Sequence, residues 1–241
     1  MSQFDATKLE DLVAHYKQLE QLKSNGVPCH RFYSWNLCYE AFGEFYKKNT
    51  TPTTKKEKDL LALHLGSYLV TLGMYRGSTF NLHYNYSIHR SVITLLFSPE
   101  AQELRKNNHD LEYLKTHTKD IKKLYDEVYY KYAELFHHTW KDIMDLTVDA
   151  KDRKASSILI TEVLLGTIGC LPAYDTYLKK GLEISEIAHN ISSTTIEKCT
   201  TDLLAFFEKN ITDEVYQATY KADYPIMKLL DIAFWKLGSE K

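Results

Sequence analysis

The sequence predicts an all-α fold of about ten helices, forming one globular unit over residues 1–241. Three observations predict it. Apolar residues recur at helical spacing along most of the chain. No two alternating segments are joined by a hairpin turn. Glycine and proline are few, nine and five of 241 residues. With 44% hydrophobic and 26% charged residues, the composition is that of a folded chain and not of a disordered one. The finer alternative divides the chain into lobes 1–150 and 151–241 with a cleft between them.

Each element has its own signal. Leu9, Leu12, Val13, Tyr16, Leu19 and Leu22 make one amphipathic stripe, stopped by Asn25-Gly26. Ser34 is placed to cap a second helix through Trp35, Cys38, Phe42 and Phe45. The polar phrase "KKNTTPTTKKEK" reads as a loop, and an apolar helix follows from about Lys58 to Gly73. "MYRGSTFNLHYNYSIHR" interrupts the pattern before a helix from about Tyr86 to Phe97. Ser98-Pro99-Glu100 supplies a cap, a proline in the first turn and an acid beside it, so another helix starts there. "DIKKLYDEVYYKYAELFHHTWKDIMDL" is a long amphipathic helix. "SILITEVLLG" reads as a buried helix ending at Gly166, with a short strand at "SSILI" as the alternative. Pro172 is expected to open the next helix and Gly181 to close it. Three more helices are expected at about 184–190, 193–209 and 212–237, the last broken near Pro225.

Composition also excludes some function classes. No apolar run reaches membrane-spanning length, and the polar N-terminus lacks the core of a signal peptide. The expectation is an intracellular, cytoplasmic protein without a membrane partner. Cys29, Cys38, Cys170 and Cys199 form no CxxC pair, so reduced thiols are expected. No His or Cys pair has zinc spacing, and no metal or other cofactor is expected. The formal charge of −2 gives no bulk argument for nucleic acid, but it is uneven. Residues 1–180 carry 24 Lys and Arg against 22 Asp and Glu, and residues 181–241 carry 6 against 10.

The stretch "GTIGCLPAYDTYLKKG" (166–181) concentrates three glycines and a proline around one carboxylate, Asp175. Pro172 is compatible with a first helical turn, which puts Asp175 near the third helical position. There, free N–H groups and the helix dipole favour a charged carboxylate. Glycines 166 and 169 allow another backbone or a ligand to come close. The alternative is that an acid in a first turn serves only the helix.

"TEVLLGTIGCLPAYDTYLKKGL" (161–182) resembles the segment that carries the catalytic aspartate in helix-hairpin-helix DNA glycosylases. There, a buried helix leads through a Pro-containing turn to an Asp, which is followed by Ser or Thr, an aromatic and an aliphatic residue. By that resemblance Asp175 takes the catalytic aspartate's place, with Thr176, Tyr177 and Leu178 following in pattern. The chain is also similar to bacterial proteins of uncharacterised activity in which "LGTIGCLPAYD", "GMYRGS" and a Trp-bearing early helix occur together. Two features depart from the glycosylase pattern. The family's hairpin carries a Gly-x-Gly, whereas "DAKDRKAS" holds no glycine. Some members place a nucleophilic lysine where Glu162 stands here. The implied chemistry is therefore hydrolysis of an N-glycosidic bond by an activated water, on DNA, in repair or in defence against phage DNA with modified bases.

Such an enzyme must flip its base into an aromatic pocket. Trp35, Asn36, Tyr39 and Tyr174 are the candidate lining, and Arg76 with Ser78 is the candidate phosphate or base-edge site. Aromatics at helical spacing also suit a core. An arginine at a helix end also suits the last carbonyls. Two other functions fit the pattern: a non-enzymatic helical binding module, and a ribonuclease resembling the HEPN family through Arg76 and His83.

Overall fold

The computed structural model describes residues 33–48, 50–76, 81, 84–143, 155–211 and 224–239, with side chains from 136 to 143 set aside. The stripe at 9–22, Ser78, His83, Cys29 and the segment 212–223 lie outside these residues. Among the described residues the fold is all helical, with ten α-helices and no strand. They are α1 (Ser34–Lys47), α2 (Lys55–Thr71), α3 (Arg90–Leu96), α4 (Pro99–Lys106), α5 (Leu111–Thr116), α6 (Thr118–Ile143), α7 (Ser157–Thr167), α8 (Thr176–Ile184), α9 (Ile196–Asn210) and α10 (Ile226–Ser239). A 3₁₀ turn, Tyr86–His89, leads into α3. No described helix is long and apolar enough to cross a membrane.

Local side-chain caps open five of the ten helices. Thr54 and Glu57 form a reciprocal capping box that opens α2 at Lys55, inside the stretch expected to be loop. Ser98 accepts from the Ala101 N–H, with Pro99 in the first turn of α4. Asp110 caps α5, a helix the sequence reading had not singled out. Ser34 behaves differently from expectation. It is the first residue of α1 and not its N-cap, which is Tyr33; its hydroxyl bonds Thr71 Oγ1 at 2.6 Å, joining the start of α1 to the end of α2. "SSILI" is helical.

α7 is the central element. Every residue from Leu159 to Thr167 is buried, which is why its sequence lacks a polar face. Trp35 of α1 donates to the Leu165 carbonyl at 3.0 Å. Tyr68 of α2 lies against Gly166, where an added Cβ would stand 2.5 Å from the ring. Arg105 of α4 bonds the Thr167 carbonyl and donates to the Tyr39 carbonyl at 2.8 Å, so one cation joins α1, α4 and the end of α7.

The segment after α7 corrects the expected helix boundaries. Pro172 lies in an extended turn, α8 starts only at Thr176, and Asp175 is its N-cap. Gly181 is inside α8, which continues to Ile184 and ends on Glu186 with φ +57°. No helix follows at 184–190; the chain turns there and runs on to α9. Gly181 instead serves packing. A Cβ there would stand 2.1 Å from the Phe234 carbonyl oxygen of α10, and one at Gly238 would stand 1.9 Å from the Tyr177 carbonyl oxygen. Two facing glycines therefore let α8 and α10 run antiparallel with their backbones touching.

Candidate functional site

The turn 168–175 is held from several sides. Gly169 has φ +74°, and a Cβ there would meet Pro225 at 2.8 Å. Asn108 donates to the Ile168 carbonyl at 2.6 Å, and its own carbonyl accepts from the Ile226 N–H that begins α10. Further along, the Ala173 N–H donates to Asp231 Oδ1 at 3.0 Å, and the Tyr174 N–H donates to Thr161 Oγ1 at 3.1 Å. Through these bonds α7 and α10 together fix the chain that delivers Asp175 to the start of α8.

The carboxyl of Asp175 has two donors. Oδ1 accepts from the Leu178 N–H at 2.7 Å, and Oδ2 accepts from the Trp235 indole N–H at 3.1 Å. The first bond satisfies one of the free N–H groups of the helix start. Burial nevertheless pushes the Asp175 pKa up to about 6 against the lowering effect of those bonds, and the nearby Asp231 charge adds to the rise.

Behind Asp175 lies a buried charged cluster that sequence reading did not assemble. Glu162 is 3% exposed, and its Oε2 accepts from the Tyr68 hydroxyl at 2.6 Å. Burial, followed by the Asp231 charge, pushes its pKa up to about 8. Asp231 Oδ2 pairs with Lys228 Nζ at 2.9 Å, and the ammonium lies 5.1 Å from the Trp35 ring centroid. Two carboxyl groups, Glu162 of α7 and Asp231 of α10, thus share one buried lysine, and Asp175 adjoins both of them. A proton retained on Glu162 limits the charge to be buried. The only sequence signal was a glutamate in the middle of an apolar helix and a Lys-x-x-Asp spacing in another.

The predicted lining residues are distributed unevenly. Trp35 is 2% exposed, stacked on Tyr39 at 4.6 Å and beside Tyr224. Tyr39 is half-buried under the Arg105 guanidinium, 3.6 Å from its ring centroid, and its hydroxyl accepts from Asn108. Asn36 is 9% exposed on α1. Tyr174 is fully buried, and its hydroxyl has no hydrogen-bond partner among the described residues. Trp35 and Tyr174 are core side chains here, and neither presents an open face. Trp35 does reach the cluster through Lys228. Arg76 stands exposed past the end of α2, with its guanidinium over Gly73. No described contact brings Arg76 to Asp175.

No family model, curated protein or solved structure matches this chain. The chemistry therefore has to be read from the residues. Among the described residues, surface hollows lie elsewhere. A groove of about 510 Å³ between α1 and α4 is lined by Tyr46, Lys47, Arg105 and Lys106, and one of about 480 Å³ between α8 and α9 by Glu183, His189, Lys198 and Asp202. Asp175 lines neither. Among the described residues no group of three His, Cys, Asp or Glu side chains could hold a metal ion. Cys38, Cys170 and Cys199 are free and buried, and burial pushes each thiol pKa up, which makes them poor nucleophiles.

Proposed function

We propose that this chain hydrolyses the N-glycosidic bond of a damaged or modified base in DNA, with Asp175 as the catalytic carboxylate. One observation carries the reading. In the segment that resembles the aspartate-bearing stretch of the glycosylases, the carboxyl stands at a helix N-terminus, held from two sides, with burial pushing its pKa up to about 6. A carboxylate so placed can stabilise an oxocarbenium-like transition state and orient or deprotonate water. Glu162, in place of a lysine, offers no amine for a Schiff base, so the reaction is hydrolysis alone. The substrate base would have to leave its stack to reach Asp175. Repair, or defence against phage DNA carrying modified bases, is the biological setting this chemistry suits.

A non-enzymatic helical binding module is the second reading. It is favoured by the two protein donors already on Asp175 and by the burial of Trp35 and Tyr174. The HEPN-like ribonuclease through Arg76 and His83 is a third reading, and His83 lies outside the described residues.

Asp175→Asn separates the first two readings. Asparagine caps a helix about as well as aspartate and keeps an oxygen for the Leu178 N–H, so the fold should survive while the charge and the bond from the Trp235 indole are lost. The enzyme reading expects base release from DNA to fall by at least ~100-fold in a protein that remains folded, the usual scale for a lost electrostatic stabiliser. A variant that alters stability alone would favour the binding module.

A further inference from the structure

We infer that Trp235 and Asp231, both on α10, are positioning residues for the Asp175 carboxylate. The indole holds one of its oxygens, and Asp231 holds the turn that carries it. This deepens the hydrolase reading and rests on it only for its catalytic consequence. The geometry has three parts. Trp235 Nε1 reaches Asp175 Oδ2 at 3.1 Å, and its ring is fixed edge-on against Tyr177 of α8, with centroids 5.4 Å apart. Asp231, one turn earlier on the same helix, accepts from the Ala173 N–H two residues before Asp175. Asp231 is itself held by Lys228 at 2.9 Å. The glycine contact between α8 and α10 fixes the distance across which both residues act.

The two residues should act on Asp175 in opposite senses. The indole N–H stabilises the ionised carboxylate, whereas the negative charge of Asp231 opposes ionisation. The other groups acting on Asp175 are the Leu178 and Tyr177 N–H groups of α8 and Glu162 of α7, while Lys228 of α10 acts on Glu162 and Asp231. Below about pH 8 Glu162 keeps its proton and contributes little charge.

The test is a carboxyl-carbon NMR titration of the full-length protein labelled at aspartate, with the Asp175 signal assigned by its loss in Asp175→Asn. The wild-type midpoint is expected near pH 6. Asp231→Asn keeps an oxygen for the Ala173 N–H and should lower the midpoint by about half a pH unit or more; Trp235→Phe keeps the ring and should raise it by a similar amount. Glu162→Gln should leave it in place. Unmoved midpoints, or movement in the same direction for both α10 variants, would overturn the assignment. Should Asp231→Asn fail to fold, Trp235→Phe decides alone: a raised midpoint supports the assignment and an unmoved one refutes it. The acid limb of base release should follow the NMR midpoints if the protein is the proposed hydrolase. Midpoints that move as expected in a protein releasing no base would leave the positioning intact and remove the hydrolase reading.

Discussion

Replacing Glu162 with glutamine tests the buried cluster directly, because the change preserves the shape of the side chain and removes its proton equilibrium. The carboxyl is 3% exposed, and burial together with the Asp231 charge moves it from 4.5 to about 8 on folding. Between those two values the folded chain holds a proton that the unfolded chain has released. Stability therefore falls as pH rises. The contribution of Glu162 is complete below pH 4.5, is lost progressively up to about 8, and is flat beyond. At about 1.36 kcal/mol per pH unit, the shift from 4.5 to about 8 corresponds to a change on the order of 5 kcal/mol across the window. The assay is urea unfolding of both proteins between about pH 5 and about pH 8, reading the difference in unfolding free energy at each pH. The glutamine variant should gain on the wild type by roughly 1 kcal/mol per pH unit. Parallel curves would refute the reasoning, since they would mean that Glu162 is ionised in the fold at all these pH values.

Three further substitutions probe the frame around the site. Gly181→Ala puts a methyl group 2.1 Å from a backbone carbonyl oxygen of α10; a cost of about 1–3 kcal/mol is expected, seen as a lowered denaturant midpoint. Glu186→Gly relieves a left-handed residue at the end of α8, where φ is +57°, and should raise stability by about 1 kcal/mol in the same measurement. His89 is fully buried between the Tyr75 and Tyr132 hydroxyls, each 2.7 Å from a ring nitrogen, and burial lowers its pKa to about 3. Its contribution is present above pH 6.5 and is lost as pH falls towards 3. His89→Gln should therefore flatten part of the acid side of the stability curve, read as a pH-dependent difference from the wild type.

How much was legible beforehand varies from residue to residue. The helix at 99–106 could be read because Ser98, Pro99 and Glu100 act on their own first turn. The capping box at Thr54 and Glu57 is equally local, but its polar surroundings read as loop. Gly181 was misread as a helix end, since glycine is common there; its partner is a carbonyl 53 positions away in the chain. Pro172 was misread for a similar reason. The turn it sits in is set by Asn108, Asp231 and Pro225, none of them nearby in sequence.

The sequence by itself determined the helical class, most of the helices and the singling out of Asp175, because periodicity, caps and prolines act within a few residues. Tertiary structure alone decided that Trp235 holds Asp175, and that Glu162, Lys228 and Asp231 form one buried cluster behind it. Those facts depend on contacts between elements dozens of residues apart. The charge states of the cluster depend on how much water the assembled helices exclude, a property that none of the helices has alone.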